Sequence, residues 1–267
     1  MADPGQGGLR FCVLGSSSKG NCTLVSTERT TILIDSGLPA GYIKENVDNL
    51  TGQGEVQGIF VSHEHGDHIS SLGAVSRKYG CPVYLSKALA FMLKGDGIED
   101  IRVMSSENKV RVGDICVTPV RVQHDAIEPM GFLVEASGAR LGIATDLGMV
   151  SPALLDIFRG VDGLVIESNY DRDMLARGPY PYPLKNRIIN SRGHLSNTQC
   201  GDFIKLVTGP ETREIVLAHL SEENNDPLIA ARECTTALRT VSKNCRLHIS
   251  YPRYPTPMLD LGRRVEK

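Results

Sequence analysis

The stretch from Gly58 to His68, Gly-Ile-Phe-Val-Ser-His-Glu-His-Gly-Asp-His, decides the fold. It begins with an apolar run that is typical of a buried strand. Four residues able to bind metal ions follow within six positions: His63, His65, Asp67 and His68. Residues two apart in an extended segment face the same side, so His63 and His65 can bind one ion. The intervening glycine lets the chain turn, so that Asp67 and His68 can reach a second ion beside it.

Composition places the chain among ordinary globular proteins. Its 267 residues are 41% hydrophobic and 22% charged, with a net charge of −2. We expect one domain over residues 1–267 and a cytoplasmic location without a membrane span, because no apolar run approaches about 20 residues and the N-terminus lacks a signal peptide's apolar core. The net charge gives no attraction for nucleic acid, so such a contact requires a local basic patch.

Further candidate ligands stand where predicted strands end. They are Asp35, His124, Asp146, Glu167 and His219. Ligands in sheet-based α/β proteins bind at the carboxyl ends of strands, so we expect these side chains to converge on the Gly58–His68 stretch. The polar loop Gly15–Asn21 is predicted to be a hairpin turn, although its Gly and Ser content is also compatible with phosphate binding.

The candidate ligands divide into two groups. One divalent ion would be bound by His63, His65 and His124, and the other by Asp67, His68 and His219. Asp146 is expected to bridge the two ions, and Asp35 to orient a ligand histidine without binding metal itself. Each ion would keep an open position for water, as catalytic sites do. Imidazole and carboxylate ligands without thiolate suit Zn²⁺ or Mn²⁺, and Fe²⁺ is also compatible.

These residues in this order resemble the metallo-β-lactamase superfamily. The resemblance spans Asp35 to His219 and implies an α/β fold, a four-layer αββα sandwich with the metals at one edge of the sheets. Within the superfamily, Glu167-Ser-Asn and Gly193-His194-Leu-Ser-Asn resemble the nucleic-acid-processing branch, and the closest pattern is that of the YycJ-like subgroup of bacterial exonucleases. The resemblance therefore implies a DNA exonuclease that acts from 5′ to 3′.

The resemblance also implies catalytic roles for His194, Glu167 and Asp67. Two ions can hold a bridging hydroxide that attacks phosphorus in line. His194, paired with Glu167, would then protonate the leaving 3′ oxygen as a general acid. The alternative for His194 is a purely structural role beside a helix N-cap.

A basic, tyrosine-rich segment from Tyr170 to Gly193 supplies local positive charge. We expect a long functional loop with some helix, in which cations bind phosphates and tyrosines stack on unpaired bases. The candidate nucleic-acid-binding residues are Arg172, Arg177, Lys185, Arg187, Arg192, Tyr180 and Tyr182. A solvated surface loop without a ligand is the alternative interpretation.

Other functions fit parts of the same pattern. A thioester or lactone hydrolase of the glyoxalase II or lactonase kind would use the same metals, but it leaves Glu167 and His194 unexplained. A redox diiron protein of this fold would be expected to carry Glu in place of His65. A non-catalytic module would be expected to lose ligands, whereas all the candidates are present. The sequence does not decide between DNA and RNA, strand polarity or oligomeric state.

Overall fold

The computed structural model describes residues 7–52, 54–106, 108–242 and 244–262. In its first half, strands and helices alternate after an initial group of three strands. The elements are β1 (Arg10–Gly15), β2 (Cys22–Ser26), β3 (Thr31–Ile34), α1 (Ala40–Thr51), β4 (Gly58–Phe60), α2 (Gly66–Ile69), α3 (Leu72–Tyr79), β5 (Val83–Leu85), α4 (Lys87–Met92) and β6 (Ile101–Val103).

The second half begins with a meander of four strands and continues with strands separated by helices. The elements are β7 (Val110–Val112), β8 (Ile115–Arg121), β9 (Met130–Ala136), β10 (Ala139–Ala144), α5 (Pro152–Phe158), β11 (Gly163–Glu167), α6 (Arg172–Arg177), α7 (Tyr182–Ile189), α8 (Asn197–Val207), β12 (Glu214–Ala218), α9 (Pro227–Leu238), β13 (Arg246–Ile249) and β14 (Leu259–Asp260).

The strands form two seven-stranded mixed sheets. The first sheet has the order β14-β1-β2-β3-β4-β5-β6 and is parallel from β3 to β6. The second has the order β13-β12-β11-β10-β9-β8-β7 and is parallel from β10 to β13. The carboxyl ends of parallel strands lie at the same edge of a sheet, so the loops that follow β3, β4, β10, β11 and β12 can meet.

Three apolar clusters define the layers. Phe60 from the first sheet and Phe132 from the second belong to the cluster between the sheets. Ile43 of α1 packs with residues on the outer face of the first sheet. Phe203 of α8 packs with residues on the outer face of the second, together with Phe158 of α5. Each sheet is therefore buried on both faces, and the predicted four-layer αββα sandwich is confirmed.

Several element boundaries differ from the prediction. The sequence predicts a helix from about Ser70 to Tyr79, and the structure has α3 over Leu72–Tyr79. A separate one-turn helix, α2, precedes it and contains Asp67. Strand β6 was not predicted, because two of its three residues are exposed and leave no alternating pattern. The segment from Tyr170 to Gly193, predicted to be a long loop with some helix, contains two short helices, α6 and α7. Within the described residues, no helix has both the length and the apolar character that crossing a membrane requires.

The contact between Phe60 and Phe132 joins the two sheets, and we expect the Phe132→Ala variant to lose stability. The Phe132 ring is 1% exposed and meets Phe60 edge to face at 6.2 Å. Urea unfolding should show a free energy of unfolding lower by about 3–5 kcal/mol. The control is Phe91→Ala on α4, whose ring is 85% exposed and whose removal should change stability by about 0.5 kcal/mol or less. Equal losses in the two variants would contradict the prediction.

Candidate metal centre

Three histidine nitrogens converge beyond the end of β4. His65 Nδ1 lies 3.0 Å from His63 Nε2 and 3.3 Å from His124 Nε2. Two nitrogens bound to one tetrahedral ion at 2.0–2.1 Å are about 3.3 Å apart, so this spacing fits a shared metal ion. His63 and His124 are buried, whereas His65 is partly open to the solvent. We call these three residues the first cluster.

A carboxylate and two further imidazoles form the second cluster. Asp67 Oδ2 lies 3.3 Å from His68 Nε2 and 3.4 Å from His219 Nε2. Asp67 and His68 lie in the first turn of α2, whereas His219 follows β12 of the other sheet. The second cluster therefore forms only when the two sheets come together.

Asp146 lies between the two clusters. Its Oδ1 is 3.6 Å from Nε2 of His124 in the first cluster and 3.6 Å from Nε2 of His219 in the second. Its Oδ2 is buried, lies 3.0 Å from His68 Nε2 and has no hydrogen bond to any described residue. A buried carboxylate oxygen without a hydrogen bond is unfavourable unless a cation compensates it. The donor set therefore fits divalent cations, with Asp146 placed to contact both clusters.

Backbone strain is concentrated at this centre. Asp35, Asp146 and His219 have left-handed backbones, with φ angles of 62°, 56° and 54°. The only other described non-glycine residue with a positive φ is Ser137, in the β9–β10 turn. Left-handed backbones are unfavourable for residues with a Cβ and persist where the surroundings enforce them, often at functional sites. All three stand just beyond strand ends, where the turn directs each side chain toward the centre.

Asp35 fixes the orientation of two imidazoles. Its Oδ2 accepts hydrogen bonds from His68 Nδ1 at 2.8 Å and from Ser62 Oγ at 2.8 Å. Ser62 Oγ in turn accepts from His63 Nδ1 at 2.9 Å. A carboxylate can only accept, so Nδ1 carries the proton in both rings and Nε2 keeps its lone pair for a metal. The sequence did not predict a role for Ser62, because a serine hydroxyl is not among the usual metal ligands.

The other two histidines of the first cluster also make contacts through the ring nitrogen that points away from the cluster. His124 Nδ1 donates to the carbonyl oxygen of Gly193 at 3.0 Å, which leaves Nε2 free. His65 uses Nδ1 in the cluster, and its Nε2 faces Asp125 Oδ1 at 3.7 Å. Asp125 was not among the predicted site residues, although a carboxylate directly after His124 at a strand end was a usable signal.

The charges at the centre favour a bound cation. Burial lowers the pKa of His63 well below its ordinary value and also lowers that of His124, so both rings are neutral ligands. Burial opposes protonation of His68 as well, but Asp146 and Asp35 raise its pKa well above the ordinary value. These carboxylates therefore attract positive charge, which a proton or a metal ion can supply.

His194 and Glu167 form a pair next to both clusters. Glu167 is fully buried and accepts backbone hydrogen bonds from Leu195 at 2.7 Å and Leu147 at 3.0 Å. His194 Nδ1 lies 3.2 Å from Glu167 Oε1. Burial of His194 opposes its protonation, but Glu167 raises its pKa to about 9. The N-cap of α8 is Ser196, and its capping box is completed by Gln199. The His194 ring therefore takes no part in the described cap.

The residues predicted to bind nucleic acid are divided between two cavities. Arg187 and Arg192 line the metal cleft, a cavity of about 350 Å³ that also exposes His194 and Asp146. Arg172, Lys185 and Tyr182 line a second cavity of about 530 Å³. The other two members of the predicted set line neither cavity; these are Arg177 and Tyr180.

The predicted turn Gly15–Asn21 connects β1 to β2 and reaches the centre. Asn21 Nδ2 lies 3.1 Å from both Asp67 Oδ2 and His68 Nε2. The backbone of His219 is held by the same turn, because its N–H donates to Ser16 Oγ at 2.9 Å. The turn thus supports the second cluster, a role that the sequence pattern did not indicate.

Known proteins are similar to this chain in sequence and in fold. A family model described as a β-lactamase superfamily domain matches residues 30–220. Exodeoxyribonuclease YycJ of Bacillus anthracis is 34% identical over 261 residues, covering 93% of this chain and 98% of that protein. Exodeoxyribonuclease WalJ of Streptococcus pneumoniae is 29% identical over 266 residues, covering 95% and 98%.

The crystal structure of the metallo-β-lactamase fold protein YhfI from Bacillus subtilis matches with a TM-score of 0.73 and 14% identity, covering 93% of this chain and 99% of that one. An identity this low supports the fold alone. The family model and the Bacillus anthracis relative, in contrast, match most of the sequence. The chain therefore belongs to the β-lactamase superfamily and is one of its metal-dependent hydrolases.

Proposed function

We propose that this protein is a DNA exonuclease that hydrolyses phosphodiester bonds with two divalent metal ions. The observation that carries the proposal is the position of His194. Its ring centroid lies 5.2 Å from that of His124 in the first cluster and 5.2 Å from that of His219 in the second. A proton donor beside both candidate metal positions is what hydrolysis between two ions requires. The similarity to YycJ and WalJ, both named exodeoxyribonucleases, favours DNA as the substrate and exonucleolytic action. The direction from 5′ to 3′ is part of the proposal because of the resemblance to the YycJ-like subgroup.

The metal ligands in this proposal are the two clusters and Asp146. They comprise His63, His65, His124, Asp67, His68, His219 and Asp146. When bound, a pair of divalent ions activates water as a nucleophile and stabilises charge on the attacking and leaving oxygens. Asp35 holds His68 directly and His63 through Ser62, so that both rings present Nε2 to the metal positions.

His194 acts as the general acid. Its Nδ1 is held by Glu167, so Nε2 is the atom left to give a proton to the leaving 3′ oxygen. Glu167 is itself fixed by two backbone N–H groups, which keeps the imidazole oriented. The thioester or lactone alternative leaves the two arginines that line the cleft, Arg187 and Arg192, without a role at the reacting group, whereas a phosphodiester is charged and can bind them.

Two arginines give the metal cleft affinity for a polyanion. Arg187 and Arg192 line the cleft on the side of α7 and the loop after it. Arg187 makes a bidentate ion pair with Asp125, with distances of 2.7 and 3.2 Å. Guanidinium groups bind phosphate oxygens through the same paired geometry, so a backbone phosphate can compete with Asp125 for Arg187.

Cleavage assays on linear and circular substrates test the proposed activity. After chelation and addition of Mn²⁺ or Zn²⁺, the protein should degrade end-labelled linear DNA, because the activity requires the metal ions and a free end. Circular DNA should remain intact, and RNA serves as the parallel substrate. Cleavage of circles would contradict exonuclease action. Hydrolysis of thioesters or lactones without any cleavage of DNA would instead support the small-molecule alternative.

The His65→Ala variant tests the ligand assignment. This variant lacks His65 Nδ1, the atom that lies close to the nitrogens of both His63 and His124. It should therefore lose bound metal and hydrolytic activity. Metal content is measured by elemental analysis of the purified protein. His248→Gln is the matched control, because His248 lies on β13 and bonds to Glu214, away from both clusters. Full metal occupancy in His65→Ala would refute the assignment.

The His194→Ala variant separates proton transfer from metal binding. Loss of a general acid typically slows turnover by about 10²–10⁴-fold. Metal content should remain at the wild-type level, since this residue is not one of the proposed ligands. Turnover is measured on end-labelled linear DNA at saturating metal. Unchanged cleavage would remove His194 from the mechanism, and parallel loss of metal would show that it acts as a ligand.

A further inference from the structure

Helix α7 lies between two cavities and lines both of them. On one side, it lines the metal cleft with Leu184, Arg187 and Ile188. On the other, it lines the second cavity with Tyr182, Lys185 and Ile189. None of its described residues is buried, so both faces of this helix remain available to ligands. An α-helix with side chains is about 10–12 Å across, which sets the separation between the two cavities.

The second cavity, here called the α6–α7 pocket, combines an apolar floor with an aromatic ring and cations. Its residues include Tyr170, Arg172, Leu175, Tyr182, Lys185 and Ile189. Leu175 and Tyr170 are 2% and 5% exposed and form the buried part. Tyr182, in contrast, is 76% exposed at the edge of the pocket. Such a ring offers a free face for stacking.

The cations of the α6–α7 pocket are not neutralised. No carboxylate among the described residues lies within ion-pair distance of Arg172 or Lys185. Lys185 Nζ donates to the carbonyl oxygen of Ala176 at 2.7 Å, which holds its charge at the pocket. Arg187, on the other face of α7, is instead paired with Asp125. In a chain with a net charge of −2, two unpaired cations beside an exposed tyrosine form a local site for an anionic, aromatic ligand.

Helix α7 is attached directly to the metal centre. The N–H of His194 donates to the carbonyl oxygen of Ile188 at 2.9 Å, at the end of α7. Asp125, which pairs with Arg187, also faces His65 of the first cluster. The position of the α6–α7 pocket relative to the cleft is therefore fixed by contacts with the centre. A polymer strand with its phosphate in the cleft can reach across α7 into the pocket.

We propose that the α6–α7 pocket binds an unpaired base of a single-stranded nucleic acid whose neighbouring phosphates extend into the metal cleft. Tyr182 stacks on the base, and Arg172 and Lys185 bind the adjoining phosphates. The ligand is single-stranded because a paired base in a duplex cannot present its face to a pocket of this kind. This inference rests on the proposed nuclease function, whose substrate it specifies as a strand with an unpaired segment.

Binding of a cleavage-resistant strand tests the proposal. The metal-loaded protein is titrated into a fluorescently labelled phosphorothioate oligodeoxynucleotide, and the Kd is read from fluorescence anisotropy. Tyr182→Ala should weaken binding about 5- to 150-fold, the usual effect of losing one stacking contact. Tyr182→Phe keeps the ring and should bind like the wild type. Phe91→Ala, which removes another exposed ring, should also leave the Kd unchanged.

The proposed contact between Arg172 and a phosphate is tested by the salt dependence of binding. Arg172→Gln should reduce the slope of log Kd against log salt concentration by about 0.7, the value for one phosphate of a single strand. Wild-type affinity in both Tyr182→Ala and Arg172→Gln would overturn the proposal, as would equal dependence on Tyr182 for a fully paired duplex. Cleavage assays are scored separately, so a protein that binds through Tyr182 without cleaving DNA would refute the nuclease function and leave this site standing.

Discussion

The structure depends on one buried carboxylate between two groups of imidazoles. Asp146 lies 3.6 Å from a histidine nitrogen of each cluster, and its second oxygen has no hydrogen bond to any described residue. Its burial raises its pKa, but His219 and His68 lower it well below the ordinary value, so the group stays ionised. An ionised buried carboxylate requires compensating positive charge. The convergence of ligands from both sheets on this position is therefore linked to the presence of a cation.

The surrounding structure holds the ligands in strained positions. Asp35, Asp146 and His219 have left-handed backbones, each at a cost of order 1–3 kcal/mol. The sandwich compensates for this with apolar layers between the sheets and on both outer faces. Hydrogen bonds through Asp35 and Ser62 then fix the tautomers of two histidines. The apolar layers thus supply the stability that maintains these locally unfavourable backbones at the edge of the sheets.

In the proposed function, substrate binding is separated in space from the metal chemistry. The metal cleft contains the clusters, His194 and two arginines, whereas the α6–α7 pocket contains an exposed tyrosine and unpaired cations. Both are lined by α7, and the end of that helix holds the backbone of His194. In the function proposed above, a strand that fills the pocket would therefore contact the same helix that positions the general acid. Under that proposal, binding of the strand and proton transfer by His194 would both depend on α7.

The sequence by itself determined the chemistry and the fold class, because metal-ligand residues at strand ends and apolar strands are local patterns. Both clusters contain the residues that were predicted for them, although their role as ligands remains a prediction. Only the tertiary structure identified Ser62, Asn21 and Asp125 as supports of the centre. It also divided the basic segment between two cavities. These features depend on contacts between residues far apart in the chain, such as the hydrogen bond from Ser62 to Asp35 across 27 positions. A local sequence pattern therefore cannot predict them.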